Sequence, residues 1–321
     1  MKTLSICIPT FKREESIRKI ALNFAKNNSN KLISLIILND CPESIIENLN
    51  NEKKQIFYFQ NKTNLGYAKS FIKLLELSKS DYVLMSSDDD EINYDELKLL
   101  FNYLQKNDSE FISTIYKIKN KIYRGKEGDN EIFQSRIRAA SNHAPGLIYK
   151  TDFLKSKIDK LSSRIDKRCY MSIMYPQVIM AYLIKFDGGK LFWNSTNPVS
   201  EGENLISNLS YDDGKTYTHP ENRIREFKSL DEFFIEGFLR KEFNRNIYYN
   251  LRIKHKISLI KFILLPLIRS QSNDSVFTIK EKISFLISNT SLIWRNYFQV
   301  FFLIISMIKS KIVSNYKGYN K

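Results

Sequence analysis

Three consecutive aspartates, Asp88, Asp89 and Asp90, close the apolar run in "YVLMSSDDDEI", within a 321-residue chain of net charge +15. Adjacent carboxylates repel one another, and when partly desolvated they take up protons unless a cation compensates them. A hard divalent ion, Mg2+ or Mn2+, suits all-oxygen ligation, and one held by one or two carboxylates keeps coordination positions for phosphate oxygens. It would neutralise charge developing on a departing diphosphate. Lys12 and Arg13, in "PTFKR", are placed to meet the same phosphates. Taken singly, each of these residues has a plainer explanation. An acidic run starts a helix, Asp40 caps or turns, Asn64 and Gly66 make a turn, and Lys12 and Arg13 solvate a face. Their order along the chain gives them a joint meaning.

The elements around them set that order. "LSICIPT" (4–10), "SLIILND" (34–40), "QIFYFQN" (55–61) and "DYVLMSS" (81–87) are short apolar runs of strand type. Helical spacing follows in Ile17, Ile20, Ala21 and Phe24, then in Ala68, Phe71, Ile72 and Leu75, and again in Leu97, Leu100, Phe101 and Leu104. Strands alternating with helices require crossover connections, so an α/β fold with a mostly parallel sheet flanked by helices is expected. Ligands of such sheets sit beyond the carboxyl ends of the strands. The residues there are Pro9, Thr10, Lys12 and Arg13 after the first strand, Asn39 and Asp40 after the second, Asn64 and Gly66 after the third, and the aspartates after the fourth. Farther on, "EFISTIYKIKNKIY" (110–123) reads as two strands and "GLIYK" (146–150) as another, completing the sheet. "SEGEN" (200–204) reads as a loop.

Composition narrows the class. Apolar residues make up 43% and aromatics 13%, with only 10 Gly and 7 Pro, which excludes disordered and low-complexity chains. Cys7, Cys41 and Cys169 lack the spacing of a disulfide framework or a zinc site, and a reducing compartment is expected. The apolar stretch 4–8 is cut short by Pro9, Lys12 and Arg13, so no secretion signal is read there. Charge is uneven: after residue 250, twelve Lys and Arg stand against two acidic residues, carrying +10 of the +15. A basic region of this kind expects an anionic partner, nucleic acid or a phosphate-bearing membrane surface.

The ordered set "SICIPTFKR", "IILND", "NLGYAKSF" and "YVLMSSDDDEI" resembles family 2 glycosyltransferases of the GT-A fold, a Rossmann-like architecture, over about the first hundred residues. The resemblance implies that Pro9, Thr10 and Asp40 line the nucleobase and ribose pocket and that Asn64 and Gly66 belong to the donor site. Asp88 to Asp90 would be a DXD-type motif, with Asp89 near the ribose, Asp90 on the metal and Asp88 beside it. "MYPQV" (174–178) and "LFWNSTNPVSEGEN" (191–204) resemble segments of the O-antigen deoxysugar transferases, the abequosyltransferases among them, which makes Tyr175 and Gln177 acceptor-side candidates. The acidic pair that supplies a general base in many family members has no counterpart in "SIMYPQVIM". Asp166 and His143 are the candidate bases.

The resemblance implies a metal-dependent, inverting enzyme using Mn2+ or Mg2+. It would transfer sugar from a nucleotide-sugar donor to a surface or lipid-linked glycan, as in lipopolysaccharide or capsule synthesis. Expected organisation is a catalytic domain over 1–220, divided into a donor half (1–107) and an acceptor half (108–220), and a basic helical region over 221–321. Two stretches, 254–268 and 283–308, resemble helices lying in a membrane interface. The expected location is cytoplasmic, peripheral on the inner face of the cell membrane, with a polyprenyl-diphosphate-linked acceptor and no nucleic acid. The rival readings are a nucleic-acid-binding protein using the basic aromatic tail, whose binding would fall steeply with salt, and a non-catalytic membrane-bound subunit.

Overall fold

The computed structural model describes residues 1–202 and 220–255, apart from residues 45, 48, 120, 126, 127, 243, 244, 250, 253 and 254. The chain divides into two compact units, Met1–Ser207 and Asn208–Lys321. The helices expected at 254–268 and 283–308 fall outside the described residues, save for His255.

Seven strands form the main sheet of the first unit: β1 (Leu4–Thr10), β2 (Ile33–Asn39), β3 (Ile56–Gln60), β4 (Tyr82–Met85), β6 (Phe111–Thr114), β9 (Leu147–Lys150) and β10 (Leu191–Asn194). Their spatial order is β10-β6-β9-β4-β1-β2-β3. Every neighbouring pair is parallel except those made by β9, which runs against β4 and β6. The expected mostly parallel sheet is thus present. Outside it lie the antiparallel pair β5 (Asp90–Ile92) with β11 (Val199–Glu201), and the hairpin β7 (Tyr116–Ile118) with β8 (Lys121–Arg124).

The central strands are apolar on both faces because both are covered. Leu4, Ile6 and Ile8 of β1 meet Ile17, Ala21 and Phe24 of α1 (Glu14–Asn27) and the Leu97, Leu100, Phe101 and Leu104 stripe of α3 (Tyr94–Lys106) in one buried cluster. On the opposite face α2 (Tyr67–Leu77) packs on β1 and β2, and Cys7 points at it with Sγ 4.0 Å from the Leu74 carbonyl. Beside α2 stand α5 (Lys155–Asp166), α6 (Tyr170–Met174) and α7 (Pro176–Phe186), with α4 (Ile137–Ser141) against α7. Pro176 opens α7 at a position where a missing N–H costs nothing.

Three short elements differ from the sequence reading. The stretch 110–124 holds three strands, not two, and Ser200 and Glu201 of "SEGEN" end a strand begun at Val199 instead of opening a loop. The acidic segment does not start a helix: Asp90 enters β5, and α3 begins only at Tyr94, with the Asn93 side chain capping Glu96 N at 3.2 Å. These strands are three or four residues long, too short to show a period, and β5 and β11 owe their conformation to each other across more than a hundred residues.

In the second unit α8 (Pro220–Leu239) is joined to residues 245–252 by Arg252. Its Nε and Nη2 donate to the two carboxylate oxygens of Asp231 at 2.6 and 2.7 Å, and Nη1 donates to the Tyr248 hydroxyl. His255 stacks on Phe227 with ring centres 4.3 Å apart.

Candidate active site

The chain leaves β1 for β2 and β3 on one side, then returns to place β4 on the other. That reversal opens a crevice at the carboxyl ends of β1 and β4. The ladder extends past the strand ends. Asp40 N donates to Thr10 O at 2.8 Å, Asn61 N to Asn39 O at 2.9 Å, and Ser86 N to Cys7 O at 3.0 Å, so Thr10, Asp40, Asn61 and the residues after Ser86 share one edge. Pro9 fits in this central strand because β1–β4 pairing stops at Cys7 and Met85, so no ladder partner waits for the N–H that proline lacks.

Asp88 is the clasp of the crevice. Its Oδ2 accepts the Thr10 hydroxyl at 2.7 Å, its carbonyl accepts the Ser16 hydroxyl, and Arg13 Nε stands 3.7 Å from Oδ1. Burial raises the Asp88 carboxyl pKa, and the Thr10 bond and the Arg13 charge offset part of that rise. Arg13 also reaches Asp89, with Nη1 3.7 Å from Oδ2. Lys12 holds the loop turned by a left-handed backbone (φ 57), unusual for a side chain with a Cβ, and its Nζ lies 5.2 Å over the ring of exposed Phe11.

Asp90 is turned inward. Ser87 N and the Tyr116 hydroxyl donate to its two oxygens at 3.0 and 2.7 Å. Burial pushes its pKa up to about 7, the Tyr116 bond opposes that rise, and the neighbouring charge of Asp89 adds to it. Asp89 is the more exposed of the pair; its Oδ1 accepts the Ser87 hydroxyl at 2.5 Å. The segment is fixed from outside by β11: Glu201 pairs with Asp90, and Gly202 N donates to Asp89 O at 3.1 Å.

Asp40 has a supporting position. Its carboxylate accepts Leu65 N and Gly66 N, each at 2.8 Å, and the Asn61 amide at 2.7 Å. Asn64 Oδ1 accepts the same Gly66 N–H at 2.9 Å. Gly66 has φ +75 with open space where a Cβ would lie, so backbone conformation rather than crowding calls for glycine.

Of the candidate bases, His143 lies in the loop before β9, which the antiparallel course of that strand brings to the crevice edge. Its ring lies tilted against Tyr116 with centres 4.4 Å apart, and its Nε2 is buried with no hydrogen-bond partner among the described residues. Burial lowers its pKa to about 4, and the Arg124 charge pushes the same way. Asp166 ends α5 on the surface, ion-paired to Lys69 at 3.3 Å, both side chains more than half exposed. Tyr175 and Gln177 are buried at the start of α7, Gln177 with Oε1 unpartnered among the described residues.

Sequence reasoning missed Tyr116, Asn61, Gly202 and Arg124. Asn61 repeats the polar strand end of Asn39-Asp40, a signal that could have been read. The others lie 26 or more residues from the groups they support, or, as with Arg124, sit in an ordinary-looking basic hairpin.

Among the described residues no three acidic, His or Cys side chains converge to hold an ion by themselves. The partly exposed Asp89 beside Asp90 fits an ion that also takes diphosphate oxygens, the mode Mg2+ and Mn2+ favour.

These features define the class: an open, mostly parallel α/β protein with its ligand crevice at the switch point. The model of glycosyl transferase family 2 matches residues 5–159. Over 170 residues the chain is 29% identical to poly(ribitol-phosphate) beta-N-acetylglucosaminyltransferase TarP of Staphylococcus aureus (strain N315); the match covers 50% of this chain and 51% of TarP, about half the length of that relative. In structure it is similar to S. aureus TarS 1-349 in complex with UDP-GlcNAc, with TM-score 0.58 and 18% identity, covering 91% of this chain and 80% of TarS 1-349. It is also similar to the mannosyltransferase PcManGT from Pyrobaculum calidifontis in complex with GDP-Man and Mn2+, with TM-score 0.52 and 12% identity, covering 96% and 86% of the two chains. Over residues 5–159 the chain is thus similar to glycosyl transferase family 2, and its fold is of the GT-A type.

Proposed function

We propose that this protein is a glycosyltransferase that moves a sugar, with inversion, from a nucleotide-sugar donor to a surface or lipid-linked glycan of the kind built into teichoic acid, lipopolysaccharide or capsule. The observation that carries the donor site is the acidic segment clasped to Thr10 and Arg13 at the switch point, facing the Asp40-braced Gly66 loop. The complexes of TarS with UDP-GlcNAc and of PcManGT with GDP-Man support a nucleotide-sugar donor, and the TarP name supports a phosphate-bearing polymer as acceptor.

Arg13 and Lys12 would face the donor's diphosphate. Asp89, with Asp90 behind it, would hold Mn2+ or Mg2+, which when bound neutralises charge on the departing diphosphate. In the reaction the acceptor oxygen bonds to the anomeric carbon as the bond to the diphosphate breaks on the opposite face. The acceptor proton passes to a base. His143 is the candidate the fold brings to the crevice, neutral at neutral pH, with Nε2 as the accepting atom in the Nδ1–H tautomer.

A thermal-shift panel of UDP- and GDP-sugars with and without Mn2+ tests the donor assignment. A cognate nucleotide at ~100 times its Kd should stabilise the protein by about 2.7 kcal/mol, and Asp90→Ala should lose the Mn2+-dependent part. Stabilisation by no nucleotide, or unchanged Mn2+ dependence in Asp90→Ala, would refute the assignment.

A further inference from the structure

The β7–β8 hairpin has an outer face that the donor site does not use. Two strands alone are marginal in water, so what holds this pair matters. Arg124 is buried beneath it, donating to Pro145 O at 2.5 Å, to Thr114 O at 3.4 Å and to His143 O. Gly125 follows with φ +116, where a Cβ would stand 2.7 Å from Ile115 Cα. Tyr116 faces inward onto Asp90, Ile118 packs on the core, and β7 lies along β11. The hairpin is therefore a fixed part of the crevice wall.

Its outward residues have a different character. Lys117 stands opposite Ile122 and shares its outward face, Lys121 stands opposite Ile118 at the edge of the hairpin, and Lys119 and Lys121 are exposed beside the turn. Among the described residues no carboxylate pairs with any of these three ammonium groups, although Glu201 accepts the Lys119 backbone N–H at 3.1 Å. Ile122 and Tyr123 are 51% and 52% exposed, and Tyr123 meets the His143 ring edge-on at 5.8 Å. Uncompensated lysines interleaved with exposed apolar groups match a ligand alternating anionic and carbon-rich faces.

We infer that this hairpin docks the acceptor, and that the acceptor is a chain carrying phosphate groups between sugar or polyol units. The lysines would meet the phosphates, and Ile122 and Tyr123 the carbon faces. This rests on the reading of the crevice as the donor site. A membrane fits less well, because the hairpin's inner edge continues through Tyr123 to His143 at the point where an acceptor hydroxyl must arrive.

The test uses the full chain, with Lys117, Lys119 and Lys121 replaced together by Glu, and a milder set replaced by Gln. Binding is measured to a fluorescent synthetic ribitol-phosphate oligomer, to uncharged dextran and to phosphatidylglycerol vesicles, with UDP plus Mn2+ stabilisation followed in parallel. The Glu set should bind the oligomer about tenfold more weakly or worse, the Gln set less severely, and both should keep the UDP response and vesicle binding. Equal oligomer affinity in wild type and the Glu set, equal wild-type affinity for dextran, no oligomer binding by wild type, or loss of vesicle binding alone would each overturn the inference. Absence of a UDP response from wild type and variants alike counts instead against the donor site, and leaves the oligomer comparison readable by itself.

Discussion

Asp40 engages both carboxylate oxygens in holding the Leu65-Gly66 backbone, so its contribution to the donor site is the shape of a loop. Asp40→Asn should cost about 1–3 kcal/mol of stability, since it leaves N–H groups without their charged acceptor, measurable as a lower urea midpoint. Gly202→Ala tests the acidic segment differently. The new Cβ would stand 2.5 Å from Asp89 O, so backbone must move. We expect a loss of about 1–3 kcal/mol and a disproportionate loss of Mn2+-dependent nucleotide stabilisation in the thermal-shift assay; an intact nucleotide response would mean that the position of Asp89 does not matter. At this scale the sequence disclosed which residues gather but not how they divide the work. Thr10 and Asp88 are 78 residues apart and Tyr116 and Asp90 are 26 apart, and nothing local in "SSDDDEIN" distinguishes the aspartate that clasps from the one that lies beneath a tyrosine.

Among the elements, α1, α2, α3 and the first four strands were legible because each buries a stripe or a whole strand against one face or the other of the sheet, which imposes period on the sequence. β5 and β11 left no such trace, being set by each other and by the carbonyl of Asp89. Helix ends offer a clean test: Asn93→Ala removes the α3 cap and should cost about 1 kcal/mol, read from thermal denaturation. A second lies where α7 ends. Buried Lys157 of α5 meets Asp187 at 2.9 Å, with Lys160 at 3.3 Å. Burial alone would raise the Asp187 carboxyl, but the bond and charge of Lys157, with Lys160, outweigh it and hold it below the ordinary range. A depressed carboxyl binds fewer protons folded than unfolded, so its stabilisation is complete above the unfolded value near ~4 and is lost as pH falls through the folded one. Asp187 itself is open to solvent, which screens the pair, so Asp187→Asn should be destabilised by about 1 kcal/mol or less at pH 7, and the gap should close below pH ~4. A gap constant with pH would point to packing instead.

For the whole molecule, charge is the property that the fold leaves unexplained. Residues 256–321 carry ten Lys and Arg against two acidic residues, and each basic residue near an anionic surface contributes about 1 kcal/mol. Deleting them should abolish salt-sensitive flotation with anionic vesicles; unchanged flotation would leave the tail without a membrane role. No helix among the described residues is long and apolar enough to cross a membrane. The reversed course of β9 has a consequence of its own. A strand that runs backward presents its preceding loop at the carboxyl edge, so one sheet carries two sets of loops delivered from opposite chain directions. The segment between the end of β6 and the start of β9 can change at its outward positions without disturbing the register of β1 to β4, while Tyr116 and Arg124 stay fixed against the donor side. It is a natural cassette: relatives sharing one donor should diverge here first, and exchanging it between them should transplant acceptor preference.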